Sequence, residues 1–143
     1  MTYDPTSLFD ALQSVLASAG FRDTLIAEPS DPPAQPTAVV LFTGVTLDEH
    51  ELAASSGVVR FNLRFYFDAL EMPQSGSEKE IARVTLLIIS NLAANFDLDL
   101  SDVRNVEPGM EARAGFQTIS GKWYRVVDLA VGVRVNDIAT WTK

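Results

Sequence analysis

In the stretch VVRFNLRFYFDAL, residues 58–70, Val59, Phe61, Leu63, Phe65 and Phe67 alternate with Arg60, Asn62, Arg64 and Tyr66. Period-two alternation sends the two sets to opposite faces of a β-strand. The apolar set specifies a core. The other face carries two guanidiniums, planar groups suited to gripping carboxylates or phosphates by paired hydrogen bonds. KWYRVVDLAVGVRVND, residues 122–137, repeats the design: Val127, Leu129, Val131, Val133 and Val135 alternate with Asp128, Ala130, Gly132, Arg134 and Asn136. Arg60, Asn62, Arg64, Asp128 and Arg134 are therefore the candidate contact residues, on a surface between subunits or on the wall of a lumen. Ala130 and Gly132 favour that reading, because a glycine inside a strand often marks close approach by another backbone. The rival is a solvated strand face, on which arginines pair across strands with partners such as Asp128 for about 0.2–1 kcal/mol each. Arg125 falls on the apolar side of its strand, which implies a bulge near KWYR or a core-side arginine at the strand's edge.

Other chemistries find little support. His50 stands among Asp48, Glu49 and Glu51, a setting for a metal or a general base, but a single histidine among acids in a polar loop reads first as a solvated loop. Asp97, Asp99 and Asp102 alternate like the first ligands of a calcium loop, yet the central glycine and closing glutamate are missing. They read as helix-ending and turn residues. The glycines of SGSEKE and GMEARAG match neither the phosphate loop nor the dinucleotide fingerprint. With no cysteine in the chain, disulfides, thiolate metal sites and cysteine nucleophiles are excluded together. The expectation is a protein that is not an enzyme, with no catalytic residue, no metal and no cofactor.

These faces need elements to hold them. Leu8, Leu12, Val15, Leu16 and Ala19 recur at helical spacing behind Asp4 and Pro5, with Gly20 as a stop, so residues 6–19 form a helix with one buried stripe. DTLIAE is a short strand, PSDPPAQP an irregular connection, and TAVVLFTGV a second strand. TLDEHELAASSG is a polar loop that is long for a hairpin. Ser77 and Glu80 make a capping box for a helix over residues 77–94, where Ile81, Val84, Leu87, Ile88 and Leu92 share one side. That helix is apolar over more than half its girth, which implies cover on more than one side. Strands at DVRNVEP and EARAGFQTI follow, then a turn at Ser120–Gly121 before the last long strand. The order α-β-β-β-α-β-β-β specifies an α+β fold, with a mostly antiparallel sheet, two helices packed on one face and a long projecting strand pair. Val58 to Asp68 alone would extend roughly 35 Å at about 3.3 Å per residue.

The chain has 143 residues, 47% of them hydrophobic, and a formal net charge of −8. One domain spanning 1–143 is the expectation. The acidic balance and scattered basic residues argue against tight sequence-independent binding to nucleic acid. The acids of MTYDPTSLFD are unlike a secretory signal, and no apolar run reaches the ~20 residues of a membrane span. A soluble protein of the cytoplasm, or of something assembled there, is expected.

An amphipathic first helix, a Pro-rich connector before TAVVLFTG, the alternating RFNLRFYF, the helix EKEIARVTLLIISNL and the final GKWYRVVDLAVGVRVND together resemble the tail terminator proteins of long-tailed bacteriophages, also called head-to-tail joining or tail completion proteins. The resemblance is one of order, length and style over nearly the whole chain, without a signature motif. It is weakest around TLDEHELAASSG and SDVRNVEPGMEARAG. It implies a structural virion subunit without cofactor that forms a homo-oligomeric ring, a hexamer, caps the tail tube at full length and offers the surface to which the head connector or neck attaches. DNA would pass through without specific binding, and the protein would reside in the virion tail after assembly in the host cytoplasm. A small α+β module binding a ligand or peptide, and another phage neck or tail tube subunit, remain the alternatives.

Overall fold

A computed structural model of the chain describes residues 3–21, 23–29, 37–48, 54–68 and 74–140. The elements follow the expected order: α1 (Thr6–Ser18), β1 (Asp23–Leu25), β2 (Thr37–Leu47), β3 (Ala54–Asp68), α2 (Gln74–Ala94), β4 (Val103–Val106), β5 (Glu111–Ile119) and β6 (Lys122–Thr140). The strands form one six-stranded sheet in the order β1-β2-β3-β6-β4, with β5 also paired to β6. Among the described residues only β1 and β2 run parallel; the other pairs are antiparallel. The fold is α+β, as the order of elements requires.

Helix α1 begins where Asp4 accepts hydrogen bonds from the Thr6 amide at 2.9 Å and the Thr6 hydroxyl at 2.7 Å. These bonds hold the Asp4 carboxyl below its ordinary pKa. The helix ends in a Schellman turn: the Phe21 amide reaches Leu16 O at 3.4 Å, the Gly20 amide reaches Ala17 O at 3.1 Å, and Gly20 has φ +104°. That geometry satisfies orphaned carbonyls and requires a residue without a Cβ. It also swings Phe21 into the core.

Leu8, Leu12, Val15 and Leu16 of α1 and Ile81, Val84, Ile88 and Leu92 of α2 are buried with Val59, Phe61, Leu63 and Phe65 of β3 and Val127, Leu129, Val131, Val133 and Val135 of β6. Phe67 is partly buried against the same cluster. Both helices therefore cover one face of the sheet, and the alternation of the long strands marks that face. Phe9 meets Phe61 edge-on at 5.2 Å, joining α1 to the centre of β3.

Three expectations change, and a choice between two readings of Arg125 is decided. The α2 helix starts at Gln74, so Ser77 lies inside it rather than at its cap, and Glu80 instead pairs with Arg83 at 2.5 Å. Leu87 sits at the margin of the buried stripe and is 36% exposed, and Leu86 is 65% exposed, although α2 is covered both by the sheet and by α1, as its apolar girth implied. The β2–β3 ladder runs on to Leu47↔Gly57, which draws part of the expected loop into the strands; backbone pairing is indifferent to their polar side chains. No bulge interrupts KWYR, since β6 keeps register with β5 from Lys122 to Ala130. The second reading of Arg125 holds: it is a core-side arginine near the strand's start that pairs with Glu78 at 3.2 Å, donates to Gly115 O at 3.0 Å and lies 4.7 Å over the Phe116 ring. His50 and most of the Pro-rich connector lie outside the described residues.

Ser120 (φ 50°) and Gly121 (φ 82°) make the β5–β6 turn with two positive φ values, the type I′ pattern that matches sheet twist. Gly121→Ala should cost about 1–2 kcal/mol through left-handed strain, and Leu129→Ala about 2–5 kcal/mol through a core cavity. Leu86→Ala should stay within about 0.5 kcal/mol. Urea unfolding midpoints of the three variants test this ranking.

Candidate functional site

The second face of the sheet is not uniform along β3. At one end Tyr66 is buried with Val39, Ile119, Tyr124 and Val126 in a small apolar cluster, its ring edge-on to Tyr124 at 6.0 Å. Its hydroxyl donates to Glu28 Oε2.

Next along β3 comes an ionic hub. Arg64 lies directly opposite Asp128 across the β3–β6 ladder. It donates from Nε to Asp128 Oδ1 at 2.7 Å and from Nη2 to Oδ2 at 3.3 Å. Nη1 reaches Glu28 Oε1 at 2.8 Å and Gln117 Oε1 at 2.9 Å. Asn62 faces Ala130, whose small side chain leaves it free to reach diagonally to Asp128 Oδ1 at 3.0 Å. The Arg64 side chain is 23% exposed, and the Asp128 carboxylate, first among several causes, raises its pKa so that it stays charged. Such a fully partnered guanidinium stiffens a sheet and has few donors left for a ligand.

Arg60 is different. Its ladder neighbours are Gly44 and Gly132, it is exposed, and its guanidinium meets no carboxylate among the described residues. The face of Gly132 is approached by side chains, with Val58 Cγ1 at 2.9 Å and Glu107 Cγ at 3.3 Å from where a Cβ would stand. The close neighbour expected over Gly132 is thus two side chains rather than a backbone. Beyond, Arg134 pairs with Asp48 Oδ2 at 2.6 Å and Glu107 Oε1 at 3.1 Å. Desolvation works against its charge, and the two carboxylates outweigh it, raising its pKa.

The five residues expected on this face are all on it, but they form three settings rather than one site. Asn62, Arg64 and Asp128 make one network, Arg134 another, and Arg60 stands apart. Sequence reasoning missed Glu28, Gln117 and Tyr66 as members of the hub. Tyr66 shares parity with Arg64 and was legible in principle. Glu28 and Gln117 carry no local signal, because their roles depend on which strands become neighbours. The hub ties Arg64 to the stability of the sheet, and Arg60 has no such tie among the described residues. Among the described residues no group of acids or histidines could hold a metal ion, and no helix is long and apolar enough to cross a membrane. Asp97 and Asp99 serve the turn after α2, where the Asp99 amide donates to Asp97 Oδ1 at 3.0 Å and Asp99 has φ 55°.

Comparison with known proteins places this architecture. A chain from the virion of a native gene transfer agent particle matches with a TM-score of 0.53 and 20% identity, covering 90% of this chain and 94% of that one. A chain from the extended state of the sheath/tube terminator of an extracellular contractile injection system matches with a TM-score of 0.51 and 11% identity. It covers 100% of this chain, which spans 60% of that larger neighbour. At these identities the likeness is one of fold. No protein-family model matches the sequence, and no curated protein matches it either.

Two tests follow from the hub. Arg64→Ala should cost about 1–3 kcal/mol by stranding half-buried carboxylates, while Arg60→Ala should stay within about 0.5 kcal/mol; urea midpoints decide. Burial first, and the Glu28 hydrogen bond second, push the Tyr66 phenol up to about 12 from 10.0. Between about pH 10 and 12 the unfolded chain thus releases a proton that the folded chain keeps, and stability falls as pH rises. Tyr3, raised chiefly by burial, adds to the same slope. Tyr66→Phe should flatten, without abolishing, the fall in urea midpoint across that window.

Proposed function

We propose that this chain is a structural subunit of a phage-like tail, a tail terminator that assembles as a ring on the end of the tail tube and offers the surface to which the head joins. The observation that carries the reading is the likeness to a gene transfer agent virion chain over nearly the full length of both chains. The likeness to a chain from a sheath/tube terminator structure agrees with it. In this reading the protein is not an enzyme and needs no cofactor. A hexamer is the ring size that the sequence resemblance implies.

The polar face suits a wall along a DNA conduit or between subunits. Arg64, Asn62, Asp128 and Arg134 are committed to internal partners and give that wall its rigidity, and Arg60 is left to meet a neighbour or the lumen. With a net charge of −8, the subunit has no surplus of cations to hold phosphates, so a duplex would slide rather than bind.

Native mass spectrometry should show a closed oligomer at several times the 15.6 kDa of the monomer, either alone or with tail tube present. A particle that stays monomeric or dimeric in both conditions would overturn the ring. Arg60→Glu should leave the melting temperature unchanged and reduce the joining of heads to tails in extracts. Unimpaired joining would remove Arg60 from the contact surface.

A further inference from the structure

Among the described residues both flanks of this sheet leave an edge open. β1 pairs with β2 only at Thr37–Val39, so residues 40–47 present an edge that no described strand covers. On the other flank β5 pairs with β6 alone, and its outer edge runs from Glu111 to Ile119. Proteins usually blunt such edges with lysine, proline or bulges. VLFTGVTL, residues 40–47, contains no charge and no proline. Its one irregularity is the register shift between Phe42 and Gly44.

The two edges are complementary in four respects. They have nearly equal length. Their directions are opposed, because three successive antiparallel pairings separate β2 from β5. Along the strands the 40–47 edge sits six residues from β5, since Phe42 aligns through Phe61 with Val131 and Phe116 aligns with Arg125; a rotation about an axis inclined to the strands, as strand tilt allows in a closed sheet, would thus bring β5 of one copy antiparallel to β2 of the next, continuing the sheet past β1. Both edges carry exposed apolar side chains on the helix-covered face: Phe42 (57%), Val45 (49%) and Leu47 (42%) on β2, and Phe116 (62%) with Ala112 and Ala114 on β5. In the register that keeps like faces together and spans the whole open edge, Phe42 meets Phe116, Val45 meets Ala114 and Leu47 meets Ala112. On the other face the same register sets Gly44 beside Gly115. Charge agrees as well. Two copies of so acidic a chain repel, yet the β2 edge is uncharged and the charges of β5 cancel in the Arg113–Glu111 pair at 3.0 Å. The partner that fits each edge is therefore the other edge of the same molecule.

We propose that copies of this chain join head to tail by antiparallel addition of β5 from one subunit to the 40–47 edge of β2 in the next. This rests on the ring reading above, and supplies its contact. The interface is heterologous, so every subunit uses both edges once and a closed ring leaves neither exposed.

The chain has no cysteine, so introduced thiols report cleanly. Within one subunit Val45 and Ala114 are three strand spacings apart, about 14 Å sideways, and six residues apart along the strands, since Val45 aligns through Val59 with Val133 and Ala114 aligns with Val127, well beyond the ~7 Å Cα reach of a disulfide. Val45→Cys and Ala114→Cys single variants would be mixed, native mass recorded, and the mixture oxidised with glutathione disulfide. The expected result is a covalent heterodimer from the mixture, no covalent dimer from either variant alone, and a covalent ladder from the double variant. Leu47→Lys added to the double variant, on the same exposed edge, should abolish the ladder with its melting temperature unchanged. A homodimer from one variant alone would overturn the proposal in favour of a two-fold contact. Rings seen by native mass without any cross-link would overturn the edge contact and leave the ring standing. Failure of the wild-type chain to self-associate, with or without tail tube, would overturn both.

Discussion

The pairing of β3 with β6 is the constraint on which the rest depends. It runs from Ala54↔Thr140 to Asp68↔Tyr124, with one irregularity between Ser55 and Gly57. One parity decides every contact on both sides of the sheet. With it, Phe61, Leu63 and Phe65 turn toward the helices beside Leu129 and Val131, and Arg64 lands opposite Asp128. A slip of one residue would bury the arginine and expose the phenylalanines. The helical stripes and the hub thus enforce a single register from opposite faces.

The parity was readable because period-two alternation survives over long runs with few exceptions. The stripe of α1 and the Gly20 stop were readable for the same reason: they are local patterns with local causes. The β5–β6 turn was visible in Ser120–Gly121. Long-range decisions were not. Nothing near Glu28 or Gln117 marks them as partners of Arg64, and nothing local distinguishes Arg60 from Arg64, since the difference lies in what the neighbouring strand offers, glycines in one case and a carboxylate in the other. The extension of the β2–β3 ladder to Leu47↔Gly57 was hidden because loop-like residues pair as readily as others when a strong strand adjoins them. The start of α2 at Gln74 was hidden behind a plausible cap three residues later.

The sheet's two faces divide labour. The helix side holds the apolar core, whose fully buried members include Phe61, Phe65, Leu63 and Leu129. The other side trades apolar burial for an ion network that crosses from β3 to β6 and β5, linking strands that no helix clamps on that face. Charge-assisted bonds of this kind are directional. They resist shear between strands.

The central position of β6 has a kinetic consequence. It is the last strand in the order of elements, yet it pairs with β3, β4 and β5, and the Arg64–Asp128 contact spans 64 positions. Contacts so distant in sequence make for slow folding. A chain emerging from the ribosome therefore holds β3 without its main partner until residues 122–140 arrive, and during that interval its apolar stripe is a hazard for aggregation. The same delay acts as a timer: β5 has no strand to lie against until β6 is in place, so a subunit cannot present both of its outer edges before its own fold is complete.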